Sequence, residues 1–270
     1  MLCFNMDTDN GKFLKFALKV AKKASKFLIK NFKKDELLTK ERGIAKEIAT
    51  RYDKESDQLI IKMISKRFPK HNILTEESGM FDRKSEYTWI VDPLDGSSNF
   101  ALGNPFFCVS IALMKNNELL LGVLDAPALK EVYCASVGKG AFLNGKRIKV
   151  SDVSELGKSY LLSCEGGEKT PERISKINFL LHSKAKDLRK LGSGALEAAS
   201  VACGRAEAYI TTNINEWDVS SAVLIVKEAG GRVSDFDGNE WQARKSDIVF
   251  SNGRFHQEIL RIINGYDENH

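Results

Sequence analysis

The chain has 270 residues, 43% hydrophobic and 29% charged, with 41 Lys and Arg against 36 Asp and Glu, for a formal net charge of +5. That is enough apolar material for a sizeable core in one large domain or two fused halves. No stretch reaches the uncharged length of roughly 18 residues that a membrane span requires, and Met1–Asn10 lacks the basic and apolar order of a secretory signal, so a cytoplasmic protein is expected. Five scattered cysteines give neither a disulfide framework nor a zinc spacing. With only four histidines, also scattered, any metal must be held by oxygen, which favours magnesium or manganese.

The first predicted element is a helix from about Lys12 to Phe32. Leu14, Ala17, Leu18, Ala21, Ala24 and Leu28 form one face, and Lys15, Lys19, Lys22, Lys23, Lys26, Lys30 and Lys33 the other. Ten lysines fall between Lys12 and Lys40; a solvated helix face accounts for them, and without clustered arginines or interleaved exposed aromatics a nucleic-acid partner is not expected. A second helix covers Asp53 to Phe68. Strands follow at Ile73–Thr75, Tyr87–Val91, Phe106–Met114, Leu119–Leu124 and Glu131–Ala135, with Asn116-Asn117 as a hairpin turn. After Ser151, strands and helices alternate: a strand at Tyr160–Cys164, a helix near Pro171–Leu181, a strand before Gly192, a helix at Ala195–Cys203, and a strand at Ala208–Thr212. A helix from Val219 then stops at Gly230-Gly231, and a last one covers Phe255–Asn264, with Gly265–His270 fraying. No repeat or linker separates the halves, here 1–155 and 156–270, so they are expected to pack as one unit with the site between them.

Chemistry concentrates in the stretch from Trp89 to Phe100. Trp-Ile-Val reads as the end of a buried strand, Pro93-Leu94-Asp95-Gly96 as a turn, and Ser97-Ser98-Asn99 as cap chemistry whose free backbone N–H groups can receive an anion. The same residues are also ordinary turn chemistry. A site for hard divalent cations needs oxygen ligands from several segments, and three further acidic positions have suitable contexts. Glu76 and Glu77 follow the strand-like Asn72–Thr75, placed to join Asp92. Asp218 opens a helix, where an N-cap or dipole role is the ordinary duty. Asp53 opens another, where a first-turn charge is the ordinary reading.

Together, Glu-Glu after one strand, Asp-Pro-Leu-Asp-Gly-Ser after the next, and Trp-Asp opening a helix that ends Glu-Ala-Gly-Gly resemble the inositol monophosphatase family. So does Gly138-Lys139-Gly140-Ala141-Phe142-Leu143-Asn144-Gly145, and the likeness extends over residues 12–264. It implies an α+β chain with a layered αβαβα sandwich of two mixed sheets, the sugar-phosphatase fold. It also implies a magnesium-dependent, lithium-sensitive phosphomonoesterase, a homodimer with two to three Mg2+ per site that Mn2+ can replace. By the same resemblance, Glu76, Asp92 and the Leu94 carbonyl hold a first ion, Asp92, Asp95 and Asp218 a second, and a weaker third lies near Glu76. Ser97 stands where the family generally has Thr; its hydroxyl and Asp53 orient and deprotonate the attacking water. Gly96, Ser97 and Ser98 offer backbone N–H groups to the phosphate. No Cys-x5-Arg occurs, and no covalent phosphoenzyme is needed.

Substrate choice transfers less completely. Gly192-Ser193-Gly194 resembles the segment that approaches the substrate ring, and also reads as a plain small-residue turn. Thr211 stands where inositol phosphatases commonly carry Glu, which relaxes inositol specificity and leaves room for a second phosphate beside Arg189 or Lys190. Glu47 replaces an Asp in the family's region matching Arg42–Thr50. The motif wording resembles prokaryotic members that accept inositol 1-phosphate and fructose 1,6-bisphosphate. The alternatives are a 3'(2'),5'-bisphosphate nucleotidase, whose usual Gly-Thr-Lys-Glu-Phe ending is absent, and a non-catalytic RNA- or protein-binding chain that uses the Lys-rich first helix.

Overall fold

The computed structural model describes residues 8–33, 51–165, 171–243 and 247–267; the Arg42–Thr50 segment lies outside them. Helix α1 (Asp9–Asn31) is capped by Thr8, whose Oγ accepts from the Gly11 N–H at 3.2 Å, and it buries Leu14, Ala17, Val20, Ala21, Ala24 and Leu28. Every lysine from Lys12 to Lys33 is exposed on its other side. Helix α2 (Arg51–Arg67) buries Tyr52, Asp53, Ser56, Asp57, Ile60 and Ile64, a single stripe at helical spacing that is polar at its start.

The first sheet comprises β1 (Asn72–Thr75), β2 (Gly79–Phe81), β3 (Tyr87–Asp95), β4 (Cys108–Lys115), β5 (Glu118–Ala126), β6 (Glu131–Ser136), β7 (Ala141–Leu143) and β8 (Lys146–Ile148), with helix α3 (Ser97–Ala101) between β3 and β4. Its order is β2-β1-β3-β4-β5-β6-β7-β8, antiparallel except where β1 runs parallel to β3. The second half of the chain contributes β9 (Tyr160–Glu165), α4 (Pro171–His182), β10 (Asp187–Arg189), α5 (Gly194–Ala202), β11 (Ala208–Thr212), α6 (Glu216–Glu228), β12 (Arg232–Ser234), β13 (Ile248–Ser251) and α7 (His256–Asp267). Its sheet has the order β10-β9-β11-β13-β12, with β10, β9 and β11 parallel and the remaining pairs antiparallel.

Three apolar slabs hold the layers. Leu14, Leu28, Ile60 and Ile64 of α1 and α2 pack on Trp89, Val91 and Ile111 of the first sheet. On that sheet's other face, Leu124 and Tyr133 meet Leu196 of α5 and Val223 of α6, which in turn meet Tyr209 and Phe250 of the second sheet. Ile177 and Ile259, on α4 and α7, close the outer face against Leu161, Ile210 and Val249. The result is α+β, with two mixed sheets in an αβαβα stack, as the sequence led one to expect. Among the described residues no helix is long and apolar enough to cross a membrane.

Where the elements depart from the sequence reading, the causes are local. Strand β3 continues past Val91 to Asp95, because Asp92 pairs with Ser110 and Asp95 with Cys108 across a register shift that takes up the extra residue. Pro93, which has no N–H to give to a ladder, sits in that irregularity. Strand β4 starts at Cys108 rather than Phe106, and α7 runs to Asp267 instead of fraying after Asn264. Strands β2, β12 and β13 have three or four residues each, too few for an alternating pattern to show. Asn116 and Asn117 do form the hairpin turn, with φ of 49° and 68°. The two distant glycine-bearing motifs meet: Glu228, at the end of α6, accepts from Gly138 N–H at 2.7 Å and Gly140 N–H at 2.6 Å.

His256 generates a pH test. It is buried with its Nε2 against the Ser234 hydroxyl at 2.8 Å and its Nδ1 against that of Ser251 at 2.7 Å. Burial first, and the Arg232 charge second, push its pKa down from 6.5 to about 4. The folded chain therefore keeps this ring neutral where the unfolded chain protonates it. Its contribution to stability is complete above the unfolded value and is lost as pH falls from 6.5 towards 4. Urea unfolding of His256→Asn over that range should lack up to one proton of this dependence, at most about 1.4 kcal/mol per pH unit. Identical acid limbs in both proteins would refute the assignment.

Candidate active site

Strand pairing brings the first two carboxylates together. Thr75 lies beside Val91 in the parallel β1–β3 ladder, so the next residues, Glu76 and Asp92, leave the sheet side by side; the Glu76 N–H donates to the Val91 carbonyl at 3.3 Å. Asp92 Oδ1 accepts from the Leu94 N–H at 2.9 Å, which shapes the turn through Pro93. The Ser56 hydroxyl, from α2, donates to the Pro93 carbonyl at 2.9 Å. Asp53, three residues earlier on the same helix, is 1% exposed.

Asp95 joins the two sheets. Its carboxylate accepts from the Ser193 hydroxyl, the Ala195 N–H at 3.0 Å, the Gly194 N–H at 3.2 Å and the Cys108 thiol at 3.7 Å. It therefore lies against the N-terminus of α5, where the helix dipole favours an anion. Gly96 follows with φ of 87°, so close to the second half that a Cβ there would stand 2.9 Å from the Phe106 carbonyl and 3.2 Å from the Ser193 Cβ. The Ser97 hydroxyl donates to the Leu94 carbonyl at 3.2 Å. Ser97 and Ser98 open α3, and first-turn N–H groups have no partner within their own helix. The Asn99 amide donates to the carbonyls of Phe106 and Leu191 at 2.8 Å each and of Gly192 at 3.2 Å, which ties α3 to the Gly192–Gly194 segment. Asp218 is the third residue of α6, where it accepts from the Asn215 N–H at 2.7 Å in a capping box.

These carboxylates feel one another. Burial, then the charges of Glu76, Asp95 and Asp218, hold the Asp92 carboxyl well above the usual range. Glu76 rises to about 8 through desolvation, then through repulsion from Asp218, Asp53, Glu77 and Asp95. Its side chain keeps contact with water at the mouth of the cleft, so that repulsion is partly screened. Burial lifts Asp95 to about 6, with the Ser193, Ala195, Cys108 and Gly194 hydrogen bonds restraining the rise. The leading electrostatic neighbours of Glu76 and Asp92 are thus all acidic. A convergent set of carboxylate and carbonyl oxygens, in which acidic charges crowd Glu76 and Asp92, fits a hard divalent cation. As the side chains stand, no group of three or more His, Cys, Asp or Glu among the described residues is arranged to hold one. Asp95 is turned onto α5 and Asp218 onto the start of its own helix.

Two residues expected to touch substrate are engaged within the second sheet. Thr211 is 0% exposed in the middle of the second sheet, so it presents no surface to the cleft. Its place inside a β-strand, flanked by Cys164 and Ile248, is the reason. Arg189 points outward from edge strand β10 and pairs with Asp187 at 2.5 Å. Gly192, Ser193 and Gly194 do reach the cleft, but what they touch here is Asp95 and Asn99. A shallow hollow between the start of α1 and Ser136 and Lys139 contains none of these residues.

Sequence reading missed four supports. Ser56 and Asp57 stand on the buried stripe of α2, where polar residues at helical spacing from Asp53 were the available signal. Asn99 was read only as cap chemistry. Glu197, fully buried in α5, accepts from the Leu191 N–H at 2.7 Å, and burial lifts its carboxyl to about 8; nothing local in the sequence distinguishes it from a surface helix residue.

Layers, sheet orders and acidic cleft together define a class of phosphatase, and comparison with known proteins gives the family. The family model described as the inositol monophosphatase family matches residues 9–268. A Thermotoga maritima protein named fructose-1,6-bisphosphatase/inositol-1-monophosphatase is 39% identical over 252 residues, 93% of this chain and 95% of that one. The Nus factor SuhB of Pasteurella multocida is 35% identical over 254 residues, 93% and 95% of the two chains. The solved structure of a Thermotoga maritima IMPase superposes with a TM-score of 0.88 at 38% identity, covering 96% of this chain and 99% of the other. The chain belongs to the inositol monophosphatase family. It is a phosphatase of the inositol monophosphatase and fructose bisphosphatase type, a phosphoric monoester hydrolase.

The contact between Gly96 and Ser193 makes a sharp test. Gly96→Ala places a side chain at positive φ against backbone and should cost about 2 kcal/mol or more, since the left-handed conformation alone costs roughly 1–2 kcal/mol. Gly192→Ala carries the same left-handed strain, with φ of 82°, but its Cβ meets a side-chain amide, that of Asn99, at 3.3 Å rather than backbone, so it should lose less stability and less phosphatase activity than Gly96→Ala. Denaturation and turnover of both variants decide it, and a Gly96→Ala protein as stable and active as the parent would contradict this geometry.

Proposed function

We propose that the chain is a Mg2+-dependent phosphomonoesterase acting on a small polyol or sugar phosphate, inositol 1-phosphate first and fructose 1,6-bisphosphate second. The observation that carries this reading is the convergence of Asp53, Glu76, Asp92, Asp95 and Asp218, from four elements or their ends, on one cleft where the surrounding acidic charges, after burial, push the Glu76 and Asp92 carboxyls up. Glu76, Asp92 and the Leu94 carbonyl would hold one ion, and Asp92, Asp95 and Asp218 another. For this, Asp95 must exchange part of its grip on α5. Paired ions supply charge neutralisation of the phosphate and activation of water for in-line attack.

The chain's own groups do the rest. Asp53, buried at the start of α2, is the proton acceptor, and the Ser97 hydroxyl orients the attacking water, passing its present bond from the Leu94 carbonyl to that water. Backbone N–H groups of Gly96, Ser97 and Ser98 hold the phosphate. Ser193 and its neighbouring glycines, anchored by Asn99, shape the ring side of the cleft. Lithium sensitivity and a homodimer belong to the same proposal, and an activity titration with LiCl and a sedimentation run test them. A second reading has one observation in its favour: α1 presents seven exposed lysines from Lys12 to Lys30, with Lys33 just past its end, against Asp9 alone, on a chain similar to a Nus factor SuhB. It is a binding role alongside catalysis, since every proposed ligand position is filled.

Metal-stripped protein should release no phosphate from inositol 1-phosphate until Mg2+ is restored, and Asp92→Asn should stay inactive at any Mg2+ concentration while unfolding cooperatively. Near-normal turnover in a folded Asp92→Asn protein would reject the assignment. Ser97→Ala should lower kcat by roughly 10²-fold with little change in KM, and Ser97→Thr should retain activity. Equal rates for the Ala variant and the parent would leave Ser97 as no more than the first residue of α3. A phosphate-release panel of inositol 1-phosphate, fructose 1,6-bisphosphate, glycerol 2-phosphate and adenosine 3',5'-bisphosphate ranks the substrates; dominance of the last would move the chain to the nucleotidases.

A further inference from the structure

Helix α2 does more than deliver Asp53. One turn on, at positions 56 and 57, it presents two polar side chains to the ends of the strands that bear the proposed ligands. Ser56 is bonded to the Pro93 carbonyl, inside the Asp92–Asp95 turn. Asp57 accepts from the Ser78 hydroxyl, at the close of the Thr75–Ser78 turn that carries Glu76. That turn is also pinned internally, the Ser78 N–H donating to Thr75 Oγ1 at 3.0 Å.

Asp57 is 1% exposed, the Thr75 side chain lies beside its carboxylate together with Ser78, and its Oδ1 is buried with no hydrogen bond of good geometry. A buried carboxylate is costly to keep, and a neutral residue would serve helix packing better. Glu76 itself keeps contact with water, so packing does not fix its side chain. What fixes its place is the backbone on either side: the bond from its own N–H to Val91 before it, and the Ser78–Asp57 bond after it.

We propose that Asp57 is a positioning residue which, acting through Ser78, holds the Thr75–Ser78 turn so that Glu76 is set beside Asp92, and thereby sets the affinity of the cleft for its divalent ion. This rests on the reading of Glu76 and Asp92 as ligands. Supports of ligating side chains of this kind typically change metal affinity by 10–100-fold when removed.

The test is calorimetric titration of Mg2+ into the metal-stripped full-length chain, for the parent, Asp57→Ala, Asp57→Asn, Ser78→Ala and the Asp57→Ala/Ser78→Ala double variant, with kcat and KM measured at saturating Mg2+. Each alanine change should weaken Mg2+ binding by about 10-fold or more. The double variant should be no weaker than the worse single one, because both changes break the same link. Asp57→Asn keeps an acceptor for Ser78 and should recover most of the affinity, and KM for substrate at saturating Mg2+ should stay unchanged throughout. Ser78 is exposed, so its variant carries the test if Asp57→Ala fails to fold. Unchanged Mg2+ affinity in folded Ser78→Ala, or losses that add in the double variant, overturns this inference alone. A parent chain that takes up no Mg2+ overturns the ligand reading, and this inference falls with it.

Discussion

Like charges held close together in a poorly hydrated place repel, and the rest of this molecule is organised around tolerating that repulsion. Asp92 is buried among Glu76, Asp95 and Asp218, and its carboxyl is driven well above the ordinary range. Asp92 and Asp95 share strand β3 but stand on either side of its register shift, and the other carboxylates come from different elements, which limits how far repulsion can act along one segment. Each carboxylate is anchored from outside: Glu76 and Asp92 by the parallel pairing of two strands, Asp95 by the start of α5, Asp218 by its own helix cap.

The anchoring explains the two-sheet design. Strands β1 and β3 run parallel, as do β10, β9 and β11, and the helices α5 and α6 that begin after strands of the second sheet lie between the two sheets. Their N-termini therefore face the strand ends of the first sheet, which is where positive helix ends can receive anions. Asp95 uses one of these positions already. A phosphate would use the same physics at Gly96–Ser98, and the close approach of Gly96 to Ser193 leaves no room for a side chain between the two contributing halves.

Support residues extend outward in a graded way. Ser56 and Asp57 contact backbone or hydroxyl groups of the turns that bear the acidic residues, Asn99 ties α3 to the Leu191–Gly192 segment, and behind them stand the apolar stripe of α2 and the aromatic cluster of Phe100, Phe107 and Phe32. Rigidity there gives the charged centre its shape, since a well-packed interior does not deform continuously. Exposed features such as the lysines of α1 carry no comparable constraint.

The sequence by itself determined the elements whose signal is local. The amphipathic stripe of α1, the Asn116-Asn117 turn and the run after Asp218 state their structure within a few residues, because helix and hairpin periods and turn chemistry act over that range. It also determined the acidic positions, since Asp92, Asp95, Glu76 and Asp218 each stand where a strand or helix visibly ends or begins. Only the tertiary structure decided which of them meet, and how. Thr211 was expected to touch substrate because it stands where the resembled family carries Glu, yet pairing with β9 and β13 buries it, and burial depends on partners far away in sequence. Asp57 was not singled out in the sequence, and the packing of α2 on β1 and β3 makes it the acceptor for Ser78. Strand β3 was read as ending before its proline, and the bulge that carries it on to Asp95 exists because β4 offers Ser110 and Cys108 as partners. Local periodicity specifies an element; which groups it brings into contact is set by the sheets and helices that pack against it.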